Sequence, residues 1–150
     1  MIMENVIMLA AIVTAVNAGV FLAFSDFIMP SFATASASTG REAMQAINTR
    51  VLRSVFVYSL MLMGPVALAL AGWAWLNDAP LIVAGGLIYA LGVVGVTMFG
   101  NVPMNNRLDR GAEAASYWPT YQEGWTRWNH VRTGANILAA ICLAIGALHV

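Results

Sequence analysis

Residues 81–100 read LIVAGGLIYALGVVGVTMFG, twenty residues without a single charged side chain. An α-helix rises 1.5 Å per residue, so a stretch of this length reaches about 30 Å, the thickness of a bilayer's hydrocarbon core. Three further stretches have the same character: about Asn5 to Met29, about Ser54 to Leu76 and about Val131 to Leu148. Backbone polar groups left unpaired in lipid are too costly for an open sheet or loop to cross it. The sequence therefore predicts an all-α protein: one integral membrane domain over residues 1–150, a four-helix bundle running up-down-up-down.

Composition points the same way. Of 150 residues, 60% are hydrophobic and 9% charged, against about 25% charged in soluble domains. Such a chain lacks the polar surface to cover itself in water, and the lipid bilayer is its expected partner. A net charge of zero offers nothing to nucleic acid. Cys142 stands alone in an apolar run, so no disulfide forms within the chain, and the residue reads as a small hydrophobe. The first apolar stretch is longer than a secretory signal core and no basic residue precedes it, so it reads as a retained helix.

The connections are unequal. Asn77-Asp78-Ala79-Pro80 is a tight turn, whereas the other two connections are long. Thr39-Gly40-Arg41-Glu42 has a capping-box pattern, followed by Met44, Ile47 and Val51 at helical spacing, so the helix of the second span is expected to begin outside the bilayer, near Gly40. Gly64-Pro65 predicts a kink within it. Pro103 suits the first turn of a short helix that Gly111 would close. Thr120-Tyr121-Gln122-Glu123 is a second capping-box pattern, from which a helix is expected to run into the fourth span. Arg41, Arg50 and Arg53 lie in the first long connection, and Arg107, Arg110, Arg127 and Arg132 in or at the end of the second. The turn and the termini hold no arginine, and the chain has no lysine. The positive-inside rule then puts both long connections in the cytoplasm and both termini outside the cell membrane. Gly85, Gly86, Gly92, Gly95 and Gly100 give the third span a small-residue surface. Gly92 and Gly95 are expected to mark a packing face, used within the bundle or between copies of the chain.

Any chemistry is expected at the cytoplasmic end, where four span ends meet. Asp26 follows a long apolar run, a costly place for a carboxylate. It reads equally as half of a structural ion pair and as a functional group. His130, the one histidine amid other polar groups, is of a residue type suited to a general base or acid, but also fits an interfacial ring bonded to a carbonyl. Arg132 can hold a carboxylate or an oxyanion, or simply anchor the helix at the headgroups. Asn101, Asn105 and Asn129 lie at the same end. Trp118, Trp125 and Trp128, with Tyr117 and Tyr121, form an aromatic cluster; the plain reading is an interfacial belt, the sharper one a wall for a flat aromatic ligand. Asn17 and Asn136 read as amides bonding between helices. Two histidines at opposite faces do not make a histidine-rich metal or haem site, and there is no Glu-x-x-His pair, Gly-x-Gly-x-x-Gly, P-loop or nucleophile elbow. Neither metal nor cofactor is expected, so any reaction would draw on side chains and the substrate's own reactivity.

Three segments in order, Phe24-Ser25-Asp26-Phe27-Ile28-Met29-Pro30, Asn101-Val102-Pro103-Met104-Asn105 and Trp125 through Thr133, together resemble the anthrone oxygenase-like family of small membrane proteins. The resemblance covers nearly the whole chain, and Asn-x-Pro-x-Asn is its most specific piece. It implies a four-span fold and oxidation of an anthrone to an anthraquinone by molecular oxygen, with family sites falling on Asn101, Asn105, His130 and Arg132. Two readings follow. In the first, the protein is a cofactor-free oxygenase of a flat, lipophilic, enolisable molecule. His130 is its base, Arg132 and Asn101 hold the oxyanion, Asp26 belongs to the catalytic set, and Trp125, Trp128, Asn105, Tyr121 and Asn129 line the substrate. In the second, it is a non-enzymatic membrane module that binds a lipid-like ligand or supports a partner protein.

Overall fold

A computed structural model describes residues 1–150, apart from the side chain of Ala112. Five helices account for nearly all of it: α1 (Ile2–Thr34), α2 (Ala37–Val51), α3 (Val55–Leu76), α4 (Pro80–Leu108) and α5 (Ala114–Ala147). All but α2 are long and apolar enough to cross a membrane. They run up-down-up-down, each packing on the next, and α5 closes the ring by packing as extensively on α1 as on α4. The helix α2 lies across the end where α1, α4 and α5 meet.

Two cores divide the interior. The long one follows the bundle axis and is built from Ile7, Ala10, Leu60, Met63, Ala67, Ile82, Tyr89, Val93, Ala139 and Leu143 among others. Its alanines and glycines let the backbones approach closely. A Cβ on Gly92 would sit 2.7 Å from Ala135 Cβ, and one on Gly85 3.1 Å from Leu143 Cγ. These glycines, with Gly86 against Ala67 and Ala71, make their close approaches inside the bundle; Gly95 meets only its own helix. The second core lies under α2 and consists of Met29, Met44, Leu108, Tyr117, Trp118, Tyr121 and Trp125. Leucines and other large side chains on the outer faces, such as Leu62, Leu91 and Phe99, are exposed, as a lipid-facing surface requires.

Several boundaries differ from the sequence expectations. The helix α2 starts at Ala37, where Ser36 Oγ accepts from Thr39 N at 3.2 Å; Ser36 therefore takes the capping role that the pattern assigned to Thr39. It is also a separate helix, since the chain turns through Leu52 and Arg53 and Ser54 caps α3 anew, accepting from Val57 N at 3.2 Å. The helix of the second span thus begins at Val55, without the extension back to Gly40. Pro65 lies inside α3, which runs on through it. The short helix at Pro103 is the last part of α4, ending at Leu108, and Gly111 adopts its left-handed φ of +58° three residues later. Thr120–Glu123 caps nothing: α5 begins at Ala114 and passes straight through it.

Two of the long helices widen locally into π turns, at Phe24–Ile28 in α1 and at Tyr89–Gly95 and Thr97–Asn101 in α4. Such turns concentrate at functional sites. Phe24, Thr97 and Asn101 all line one cavity.

Candidate functional site

The cavity opens at the α2 end of the bundle and holds about 440 Å³, within the range of about 300–1,000 Å³ usual for small-molecule sites. Its walls are mostly apolar and aromatic: Val20, Phe21 and Phe24 from α1, Phe56, Val57 and Leu60 from α3, Met44 and Ile47 from α2, and Trp125 from α5. Its polar wall comes mainly from α4 and α5, with Thr97, Asn101, Asn105, Asp109 and Arg132, while α2 adds Asn48 and Arg50.

Arg132 is the central group. It is only 5% exposed, and among the described residues its guanidinium forms no ion pair. Nη2 donates to Asn129 Oδ1 at 2.8 Å and Nη1 reaches Thr97 Oγ1 at 3.4 Å, while Nε has no hydrogen-bond partner. A guanidinium carries five N–H donors, so most of this one's capacity is unused. Its carbon lies 4.3 Å from the Phe21 ring centre and 5.1 Å from that of Trp125, distances at which a cation is held by aromatic faces. The result is a buried positive charge, flanked by rings, at the wall of an apolar cavity.

The support around it is built from amides. Asn129 is fully buried and donates through Nδ2 to Phe21 O and Ser25 Oγ, both at 2.8 Å. It therefore ties the arginine to α1. Asn101 Nδ2 donates to Trp125 O at 3.1 Å, and its Oδ1 is buried without a partner. Asn105 Oδ1 accepts from Tyr121 OH at 2.9 Å and from Trp125 Nε1 at 2.8 Å, which fixes the Trp125 ring in the wall. Behind it Trp118 stacks on Tyr121, and Tyr121 on Trp125, with ring centres 5.7 and 6.2 Å apart.

The structure gathers part of the set expected from sequence. Arg132, Asn101, Asn105 and Trp125 line the cavity. Asn129 and Tyr121 stand behind the wall, buried, and hold Arg132 and Asn105 in place. The other three lie elsewhere. His130 and Asp26 are exposed and outside the cavity lining, and Asp26 makes no ion pair among the described residues. Trp128 is 45% exposed and covers Gly100 on the far side of α4, so it walls nothing. The reason is azimuth. Residues at one depth of a helix point in different directions, and these three share the level of the site but not its face. Sequence reasoning missed Phe21, Thr97, Asn48 and Asp109. A signal for two of them was available: Thr97, Asn101, Asn105 and Asp109 recur every four residues along one helix.

The family model described as anthrone oxygenase matches residues 52–142, which include Thr97, Asn101, Asn105, Asp109, Trp125 and Arg132. No curated protein and no solved structure matches the chain.

Proposed function

The chain belongs to the anthrone oxygenase family, and on that premise we propose that it oxidises a flat, lipophilic, enolisable molecule of the anthrone type with molecular oxygen, in the cell membrane. The observation that carries this reading is Arg132: a buried cation without a carboxylate, set between Phe21 and Trp125 at the wall of an apolar cavity. Removing one methylene proton from an anthrone leaves an enolate whose charge gathers on the ketone oxygen. A fixed cation in a water-poor site stabilises that charge as it forms, without reorganising. The aromatic wall suits the rings.

The reaction balances without a further reductant. The enolate passes an electron to oxygen and the two radicals join, forming a carbon–oxygen bond and, after protonation, a hydroperoxide. Loss of the second methylene proton breaks the O–O bond and expels water. Methylene becomes carbonyl, a four-electron oxidation; one oxygen atom stays on carbon and the other leaves as water.

The arginine distribution supports both long connections facing the cytoplasm and both termini facing outward. In that orientation the cavity mouth would lie at the inner headgroup level, where a molecule dissolved in the bilayer can reach it. The test is oxygen uptake by detergent-purified, metal-stripped protein given a simple anthrone, with ¹⁸O₂ to trace the product. Uptake above the spontaneous rate, with one labelled oxygen per quinone, is expected. Uptake no faster than in buffer overturns the reading and leaves a membrane module that binds a lipophilic ligand without turnover.

A further inference from the structure

An enolate-forming site needs a proton acceptor as well as a cation, and His130 is outside the cavity. Resting on the oxygenase reading above, we propose that Asp109, the one carboxylate among the residues that line the cavity, is the base that takes the methylene proton.

Its position is built. Asp109 closes the last turn of α4, its N–H donating to Asn105 O at 3.0 Å. The neighbouring carbonyl, Leu108 O, accepts from Gln45 Nε2 of α2 at 2.8 Å. Asn48 Nδ2, from one turn further along α2, approaches Asp109 Oδ1 at 3.5 Å. The helix end and α2 thus fix the backbone at Asp109, the carboxylate beside it is only loosely approached by Asn48, and Oδ2 is left to accept a proton.

The order of groups along the bundle axis fits an anthrone. Asn105 bonds both Tyr121 and Trp125, which stand one turn apart on α5, and so lies between their levels. Asp109 stands one turn outward of Asn105. Arg132 stands seven residues, or about 10 Å of helix, inward of Trp125. Its side chain leans back toward the helix N-terminus, as helical side chains do, and brings the guanidinium to 5.1 Å from the Trp125 ring. Cation and carboxylate therefore flank the Trp125 level from opposite sides. In an anthrone the ketone and the methylene lie opposite each other across the central ring. A ketone oxygen at Arg132 turns the methylene outward, toward Asp109.

In the step itself the methylene C–H bond breaks. The proton passes to Asp109 and the electron pair stays on the ligand as the enolate, its oxygen facing Arg132. Asp109 is exposed at the mouth, so the carboxyl can hand its proton to water before the next turnover.

Hydrogen exchange separates this step from the oxygen chemistry. Under argon in D₂O, wild-type protein is expected to catalyse deuterium entry into the anthrone methylene, read by mass spectrometry. Asp109→Asn is expected to slow both exchange and oxygen uptake by about 10²-fold, the low end for loss of a general base. Asp109→Glu should restore part of it, and quenching of tryptophan fluorescence should show the ligand still bound to the Asn variant. Wild-type exchange and uptake that persist in Asp109→Asn overturn the role of Asp109 while the oxygenase reading stands. Wild-type protein that neither exchanges nor consumes oxygen overturns both.

Discussion

Replacing Arg132 by Met distinguishes a functional cation from a structural one. An arginine costs about 2.5–3.5 kcal/mol at the centre of a membrane span on insertion scales, and less near the end of a span, where Arg132 stands. In return, Arg132 has one good charged hydrogen bond, to Asn129 at 2.8 Å, worth about 1.5–3 kcal/mol. The contact with Thr97 at 3.4 Å is too long to add much. Two ring contacts, to Phe21 and Trp125, add about 0.5–1 kcal/mol each. The favourable terms thus at least match the insertion cost. Deleting a buried charge is severe when it strands an opposite charge, but Arg132 has no such partner. What remains is the lost donor at Asn129 Oδ1, at about 1–3 kcal/mol, part of which Met recovers by packing against Phe21. The expected change in stability is a loss of about 1–2 kcal/mol, measured by denaturant unfolding in detergent and followed by far-UV circular dichroism. Oxygen uptake with an anthrone should fall by about 10²–10³-fold, the usual cost of removing an oxyanion-stabilising group. A variant with uptake within threefold of wild type per folded molecule refutes the assignment. So does a loss of 4 kcal/mol or more, roughly the cost of breaking a buried ion pair, with turnover intact in the surviving fold.

Four other substitutions test the surrounding structure. Asn105→Leu strands the Tyr121 hydroxyl and the Trp125 indole N–H at once, so thermal or denaturant unfolding should show a loss of about 2–4 kcal/mol. His130→Ala, at an exposed position outside the cavity, should leave oxygen uptake within about twofold of wild type, against about 10²-fold for loss of a working general base. Gly86→Val should cost about 3 kcal/mol or more, because its Cβ would collide with the Ala67 carbonyl and sit 2.8 Å from Ala71 Cβ. Gly72→Ala, with open space at its Cβ, should change stability by no more than about 1 kcal/mol, in the stabilising direction.

Hydropathy alone made the four long helices legible, because length and apolarity are properties of a segment and need no knowledge of its neighbours. The site was legible in depth but not in direction. Arg132, Asn101, Asn105 and Trp125 stand where the span ends meet, and so do His130, Asp26 and Trp128, which face elsewhere. Depth follows from counting residues, whereas azimuth depends on which faces the helices turn toward each other. The helix starts misread at Thr39 and Thr120 have a related cause. A capping box is a local pattern that a longer helix overrides when its packing continues, as α5 does under α2 from Ala114 onward. Nothing in the composition marked α2 as a separate helix over the cavity, since only the break at Leu52–Ser54 separates it from α3.

The π turns connect the sequence pattern to the site. An α-helix turns every 3.6 residues, so side chains four apart drift steadily around it. Thr97, Asn101, Asn105 and Asp109 repeat every four residues, and on a regular helix the series would wander off the cavity wall, yet all four line it. The π turn at Thr97–Asn101 takes up part of the difference at the start of the series, because each i→i+5 bond admits one residue more than an α turn; Asn105 follows on regular helix. Along α1 the same holds for Asn17, Phe21, Ser25 and Met29, which turn inward every four residues across the π segment Phe24–Ile28. A repeat of four where the helix period is 3.6 therefore marks where these helices must widen. In this chain the π segments at Phe24–Ile28 and Thr97–Asn101 carry cavity-lining residues, and they turn Thr97 toward the guanidinium of Arg132 and Ser25 toward the amide that holds it.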